Sequence, residues 1–152
     1  HDLVRSRVVE PAGLTSTAYL RSDDLPGDAA VGYVQVDGAW RTNVHHLPVI
    51  GGGDGGIWTT AADLVRFWDA LLAGRIVPRE LVEEMLREHT PETDDELAYG
   101  LGFWLPEPGS VQLVGQDAGA SFSSRHTIAT GRTASVLATT ADAAWDVESA
   151  IR

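Results

Sequence analysis

The chain has 152 residues, the length of one folded domain of ordinary size. Its 22 acidic residues outnumber 11 basic ones and leave a net charge of −11 at pH 7, which argues against binding to nucleic acid or to an anionic membrane surface. Hydrophobic residues make up 43% of the chain, but no apolar run approaches the roughly 20 residues of a membrane-spanning helix.

The first half of the chain predicts a helix end, a loop, a hairpin and a glycine-rich loop. Apolar spacing over residues 1–10 is helical, and residues 11–13 (Pro-Ala-Gly) should stop that helix. Residues 14–30 are rich in Thr, Ser, Asp and Pro, which is typical of a loop. Residues 32–36 and 40–44 flank an Asp-Gly pair, a pattern that indicates a β-hairpin. Residues 51–56 lack side chains that could fill space, apart from one Asp, so we expect a loop there.

Two helices follow. Thr60, with Asp63 three residues later, resembles a capping box at the start of the first helix, and Gly74 follows its end. Pro78 should occupy the first turn of the second helix. The residues expected on the two buried faces are Leu64, Phe67, Trp68, Leu71, Leu72, Leu81, Val82, Met85 and Leu86.

The last part of the chain predicts an antiparallel sheet and a closing helix. After an acidic loop at residues 90–97, we expect strands at 99–105, 111–114, 122–128 and 133–139. Asp142 should then cap a helix that carries Trp145, Val147 and Ile151. The predicted fold class is α+β, in one unit over residues 1–152. Helices, hairpin and loops occupy 1–97, and sheet strands with the closing helix occupy 98–152.

Several residue types that carry chemistry are absent. All basic residues are arginine, and there is neither Lys nor Cys. A lysine base, a Schiff base, a phosphate-loop lysine, a cysteine nucleophile and a thiolate zinc site are therefore excluded on this chain. His45, His46 and Asp54 are candidate metal ligands by type, but adjacent residues on a strand point to opposite faces. We expect no metal, no cofactor and no assignable cellular compartment from this composition.

Two further sets of residues have a structural interpretation and a functional one. Ser121, Ser123 and Ser124 follow a strand pattern, with the first two on one face, and no G-x-S-x-G elbow surrounds them. The tryptophans at 68 and 145 have the spacing of helix core residues. Those at 40, 58 and 104 are at strand or loop edges, where they would pack in the core or line a pocket.

Four segments in order carry a family resemblance. Residues 7–17 (RVVEPAGLTST), 52–67 (GGDGGIWTTAADLVRF), 99–104 (YGLGFW) and 115–124 (GQDAGASFSS) resemble serine hydrolases of the β-lactamase/penicillin-binding-protein superfamily. That group includes class C β-lactamases, D-alanyl-D-alanine carboxypeptidases and family VIII esterases. The resemblance implies a partial β-lactamase-like fold, with an antiparallel sheet of C-terminal strands and packed helices.

The resemblance also shows which motifs this chain lacks. Family members acylate a serine in a Ser-x-x-Lys motif and use a Tyr-x-Asn motif for proton transfer. Without Lys the first motif is absent, and Tyr19, Tyr33 and Tyr99 are not followed by Asn two residues later. Both motifs precede the segment at residues 7–11 in the family. We therefore expect a C-terminal portion of a hydrolase with no catalytic residue of its own.

One active-site element of the family should lie on this chain. Family members carry a Lys/His-Thr-Gly strand that binds a substrate carboxylate, followed by a backbone N–H of the oxyanion hole. Gln116 stands in place of the Lys or His, Asp117 in place of the Thr, and Ala118 or Gly119 in place of the Gly. Ala118, Gly119 or Ala120 would donate the oxyanion N–H. Neutral Gln116 and acidic Asp117 favour an uncharged substrate group at this point.

Two functions follow from these residues. In the first, this chain is part of a serine hydrolase that acts on a small ester, amide or peptide, and the chain alone is inactive. The second is a non-catalytic binding or structural module with a degenerate β-lactamase-like fold. In the family, the final strand pairs with N-terminal strands, so the bare edge at residues 133–139 predicts that the isolated chain forms a homodimer or is held by the rest of its protein.

Overall fold

The structure is a computed structural model that describes residues 1–90 and 97–151. The helices are α1 (Asp2–Val4), α2 (Glu10–Ala12), α3 (Ala61–Leu72), α4 (Arg79–Met85) and α5 (Ala143–Ala150). The strands are β1 (Tyr33–Val36), β2 (Ala39–Thr42), β3 (Ala98–Tyr99), β4 (Trp104–Leu105), β5 (Ser110–Asp117), β6 (Ala120–Thr127) and β7 (Arg132–Ala138). This architecture confirms the α+β class. Most of the predicted loop at residues 90–97 lies outside the described residues.

A helical segment opens the chain, and its end differs slightly from the prediction. A π-helical turn at Arg5–Val9 connects α1 to α2. Pro11 is the second residue of α2 and does not stop the helical segment, which continues to Ala12. Gly13 ends the segment with a left-handed φ of 68°.

The predicted hairpin is confirmed. Strands β1 and β2 pair antiparallel and end on the pair Val36 and Ala39. Asp37 and Gly38 between them both have positive φ, 51° and 75°, the geometry of a type I′ turn. The second strand ends earlier than expected, because residues Asn43–His45 form a 3-10 turn that directs Asn43 inward.

Helix α3 contributes two of the five residues of the core cluster, Trp68 and Leu71. Thr60 caps it by accepting a hydrogen bond from the backbone N–H of Asp63, as predicted. Trp68 is fully buried. The core cluster joins this helix to α4 and to the sheet, and consists of Trp68, Leu71, Val82, Phe103 and Val111.

Two expectations for α4 are wrong. Pro78 is the N-cap of this helix rather than a residue of its first turn. Leu81 is 53% exposed, because α4 buries only Val82 fully.

A buried carboxylate in α3 ties the preceding loop to this helix. The Asp63 side chain is completely buried and accepts hydrogen bonds from the Ser16 N–H and the Thr17 hydroxyl, both at 2.7 Å. Its other oxygen accepts from the Arg66 guanidinium at 2.5 Å. Burial raises the pKa of Asp63, but these bonds lower it by more, so the net pKa is below its usual 3.8.

The larger sheet has the order β3-β4-β5-β6-β7, with all neighbours antiparallel. The single strand expected at 99–105 is wrong. Gly102, with a φ of 88°, reverses the chain between β3 and β4, and the Gly100 N–H bonds the Phe103 carbonyl at 2.8 Å. This reversal places Phe103 in the core. The last three strands are found where expected, and β5 and β6 are longer than their patterns indicated.

The two faces of β6 pack against different helices. Ser124 and His126 face α3, where Ser124 accepts a hydrogen bond from the Trp68 indole at 2.8 Å. Burial lowers the pKa of His126, and the Asp69 carboxylate partly opposes this shift. Ser121 lies on the other face, against α5.

Helix α5 begins after Asp142 as predicted, but the Asp142 side chain makes no capping bond. The Ser121 hydroxyl instead accepts a hydrogen bond from the Ala144 N–H at 3.2 Å and so caps the start of the helix. Val147 and Ile151 are 47% and 41% exposed. The helix instead turns Ala144 and Glu148 inward. None of the described helices has the length and apolar character needed to span a lipid bilayer.

Candidate functional site

The five predicted site residues lie at the end of β5 and in its tight turn to β6. Asp117 pairs with Ala120, so Ala118 and Gly119 alone form the loop between the strands. Gly119 has a φ of 72°, a conformation that side chains disfavour. The Asp117 carboxylate accepts a hydrogen bond from the Ala118 N–H at 2.7 Å. An anionic oxygen is therefore already bound to a backbone donor of this turn.

The small hairpin holds the turn from one side. Asn43 is 4% exposed and donates from its side-chain amide to the Ala118 carbonyl at 2.9 Å. Its own N–H bonds the Gly32 carbonyl at 2.9 Å. A Cβ atom at Gly119 would lie 2.8 Å from the Tyr33 nitrogen and 2.9 Å from the Asn43 Cβ atom. The hairpin and the turn are thus in direct backbone contact, which leaves no room for a side chain at Gly119.

The start of helix α5 contacts the end of β5, on which Gln116 lies. The Gln116 amide donates to the Asp142 carboxylate at 3.2 Å, at the point where α5 begins. Both polar side chains of the predicted site are therefore engaged within the chain, one on this helix and one on its own turn. What the segment offers to a ligand is its backbone.

The serines have structural partners. The Ser121 hydroxyl donates to the Thr140 carbonyl at 2.8 Å. The Ser123 hydroxyl accepts from the Gln112 amide at 2.9 Å. All three serines are at most 4% exposed, so a substrate cannot reach them. Their positions confirm that Ser121 and Ser123 share a face and that Ser124 has the opposite one.

The histidine pair does not form a metal centre in the described structure. Within residues 1–90 and 97–151, no group of three or more His, Asp or Glu side chains is placed to hold an ion. His45 and His46 instead line an open cavity beside the hairpin, together with Trp40. Trp40 is 57% exposed, so the pocket alternative for this residue is supported and the core alternative is not.

The sheet has a tight β5–β6 turn, and α3 and α5 pack on its opposite faces. The Beta-lactamase family model matches residues 1–152. The chain belongs to this family, which is of the serine hydrolase type. It is 28% identical over 114 residues to the putative penicillin-binding protein PbpX of Bacillus subtilis (strain 168), a match that covers 74% of this chain and 27% of that protein.

Solved structures show the same architecture. The penicillin-binding protein from Bacillus halodurans superposes with a TM-score of 0.90 at 32% identity, over 99% of this chain and 48% of that one. The D-amino acid amidase from Ochrobactrum anthropi SV3 has a TM-score of 0.69 at 22% identity, over 91% of this chain and 42% of that one, and supports the fold alone. The chain therefore spans less than half the length of these relatives.

Sequence reasoning missed two features of the site. Asn43 holds the turn at Ala118, yet a polar residue at the end of a hairpin strand is typical of any turn. The cavity beside the hairpin was also missed, because the residues that line it come from both strands and from the 3-10 turn. Only the exposed-edge position of Trp40 signalled it.

Proposed function

We propose that this chain forms a wall of the active site of a serine hydrolase and donates one backbone N–H to its oxyanion hole. The observation that carries the proposal is the carboxylate oxygen bound to the Ala118 N–H at 2.7 Å. A donor that binds a carboxylate oxygen suits the oxyanion of a tetrahedral intermediate, which has the same charge and needs the same distance. Asp117 is exposed, so its side chain can rotate away when a substrate binds.

The nucleophile comes from outside these 152 residues. The chain has no Lys and no Tyr-x-Asn, and its β6 serines are buried and bonded. In the full protein the reaction is acylation of a serine, followed by deacylation by water. The substrate is a small ester, amide or peptide whose group next to Gln116 is uncharged, because Asp117 repels a carboxylate there.

Hydrolysis assays test this proposal. The 152-residue chain alone should be inert toward chromogenic esters and amino acid amides, while the full-length protein that contains it should hydrolyse at least one of them. Asp117→Ala in the full-length protein should raise kcat/KM several-fold, because it removes a competing acceptor and a repelling charge. Asp146→Ala, an exposed acidic residue in α5, is the matched control and should change nothing.

Two results would contradict the proposal. One is hydrolysis by the pure 152-residue chain that is lost in Ser121→Ala or Ser123→Ala. The other is an unchanged kcat/KM in Asp117→Ala. A non-catalytic binding module is the second candidate, because the side chains of Gln116 and Asp117 both have partners within the chain. An inert full-length protein that still binds amide or ester analogues would favour this second candidate.

We also infer that the isolated chain associates through β7. In the described sheet β7 pairs with β6 on one side only, and Leu137 on it is 40% exposed. An unpaired strand edge is a template for pairing with a second copy. Sedimentation should show a dimer at tens of micromolar, and Leu137→Lys should shift it to monomer. Val147→Lys, at an equally exposed position of α5, should leave the dimer intact, whereas a monomeric parent chain would refute the inference.

A further inference from the structure

One buried side chain beside the hairpin donates a hydrogen bond to the β5–β6 turn. Asn43 follows β2 directly and is 4% exposed. Its side-chain amide donates to the Ala118 carbonyl at 2.9 Å. In the described part of the chain, no other hydrogen bond joins residues 33–45 to Ala118 or Gly119. Within that part, the hydrogen bonding between hairpin and turn depends on Asn43.

The backbone on both sides of this amide is fixed, so the side chain has little room to rotate. The Asn43 N–H donates to the Gly32 carbonyl at 2.9 Å, and the Asn43 carbonyl accepts from the His46 N–H at 2.8 Å. A Cβ atom at Gly32 would overlap both the Asn43 side-chain nitrogen and the Gly119 carbonyl oxygen. A Cβ atom at Gly119 would lie 3.1 Å from the same nitrogen. The two glycines therefore enclose the amide.

A backbone hydrogen bond attaches the hairpin to the sheet without Asn43. The Tyr33 N–H donates to the Thr139 carbonyl, just after β7, at 2.8 Å. This bond needs no side chain, so it remains available when Asn43 is replaced. The Asn43 amide acts on a different element, the two-residue turn at the end of β5.

A bond to the Ala118 carbonyl also sets the direction of the N–H groups of the turn. The carbonyl and the N–H of Ala118 belong to one residue. The planar peptide unit that carries this carbonyl also carries the Gly119 N–H, which points in the opposite direction, away from Asn43. Without the amide, this peptide unit is free to rotate, because a glycine at position 119 permits many backbone conformations. The amide therefore restrains the backbone donors of the turn.

We propose that Asn43 is a positioning residue of the hydrolase, which fixes the backbone donors of the β5–β6 turn where the oxyanion forms. This inference rests on the proposed function and adds to it a residue 75 positions before the turn. Asn43 acts through the Ala118 carbonyl and not on the reacting atoms. Its contribution belongs to the transition state, where the oxyanion exists, so its loss should affect kcat more than KM.

Kinetics and inhibition of the full-length protein test the proposal. Asn43→Ala should lower kcat by about 10- to 100-fold and change KM by less than about twofold, since the donor is displaced but not removed. The inhibition constant of phenylboronic acid, which forms a tetrahedral adduct with a nucleophilic serine, should rise by a similar factor. A purely structural loss reduces the number of folded molecules and leaves the inhibition constant unchanged.

A second variant separates the hydrogen bond from the packing. Asn43→Asp keeps the shape of the side chain, and its ionised carboxylate has no hydrogen to donate to the Ala118 carbonyl. At pH 8, where a carboxyl group is ionised, this variant should lose at least as much kcat as Asn43→Ala. A kcat near the parent value would mean that Asn43 only fills space, and would overturn the proposal.

Ser22→Ala is the matched control. Ser22 is 8% exposed, and its hydroxyl donates to the Pro48 carbonyl at 3.3 Å, so this variant also loses a buried bond from a side chain to a carbonyl. It should lower stability in urea unfolding and leave kcat and the inhibition constant unchanged. Hydrogen exchange of the peptide that contains the β5–β6 turn should be several-fold faster in Asn43→Ala and unchanged in Ser22→Ala.

The outcomes distinguish this inference from the proposed function. An unchanged kcat in Asn43→Ala together with a reduced kcat in Gly119→Ala would overturn the role of Asn43 and leave the proposed function intact. A lower kcat with an unchanged inhibition constant would also overturn it, as would unchanged hydrogen exchange at the turn, which can be measured even in a protein that hydrolyses nothing. Full kcat in both variants would reject the proposed function and, with it, this inference.

Discussion

Replacing Gly119 with alanine should lower the kcat of the full-length protein by about 10²- to 10³-fold, the loss typical of one oxyanion-hole donor. A Cβ atom at this position would approach the Tyr33 nitrogen to 2.8 Å and the Asn43 Cβ atom to 2.9 Å. The turn must then move away from the hairpin, and the Ala118 N–H moves with it. Oxyanion stabilisation depends on donor position, so a shift of this kind acts on kcat more than on KM.

Gly131→Ala is the matched control for this prediction. Gly131 has a φ of 65°, close to the 72° of Gly119, and lies in the next hairpin turn of the same sheet, where an added Cβ atom would meet no other atom within 4 Å. Both variants incur the strain of alanine in a left-handed conformation, about 1–2 kcal/mol. Steady-state kinetics and urea unfolding of both variants separate the effect on kcat from the effect on stability. A similar kcat in the two variants would mean that the turn does not contribute to catalysis.

Asp63→Ala should lower the free energy of unfolding by about 2–4 kcal/mol, since it removes the acceptor of three hydrogen bonds, from the Ser16 N–H, the Thr17 hydroxyl and the Arg66 guanidinium. The Ser16 N–H and the Thr17 hydroxyl both donate hydrogen bonds to this buried carboxylate at 2.7 Å. They belong to a loop more than 40 residues earlier in the chain. Their loss should release the loop from α3. Asp69→Ala, an exposed carboxylate on the same helix, should change stability by less than about 0.5 kcal/mol.

The pH dependence of stability gives an independent test of Asp63. Its pKa is below 3.8 in the folded chain and near 3.8 in the unfolded chain, so the unfolded state binds the proton first as the pH falls. The stabilisation is fully present above about pH 4 and is lost as the pH falls through the folded pKa. In denaturant unfolding, the free energy of unfolding of Asp63→Asn should fall less steeply across that acid range than that of the parent chain. An equally steep loss in that variant would assign the acid sensitivity to other carboxylates.

Local patterns predicted the elements whose contacts are close in sequence. The Asp37-Gly38 turn was predictable because two positive φ values suit that pair of residues, and the cap at Thr60 because its partner is three residues away. The strand predicted across residues 99–105 failed because apolar runs do not show where a chain reverses. There Gly102 turns the chain so that Phe103 enters the core.

In the candidate site too, local features could be predicted from the sequence and long-range contacts could not. Gln116–Ala120 could be named from the order of motifs along the chain, and the absence of Lys was visible by inspection. The hydrogen bond from Asn43 to Ala118 joins residues 75 positions apart, and no local pattern predicts a contact at that separation. The exposure of Trp40 was likewise undetermined, since an aromatic residue at a strand edge packs inward or outward according to what the rest of the chain places against it.

By itself, the sequence determined the α+β class, the family resemblance and the lack of a nucleophile motif, because residue types and short-range periodicity decide these. Only the tertiary structure decided that the hairpin supports the β5–β6 turn, that the side chains of Gln116 and Asp117 are engaged within the chain, and that Trp40 is exposed on the hairpin. Each of these depends on packing between segments distant in sequence, where the energy comes from close approach and burial that a linear pattern does not specify.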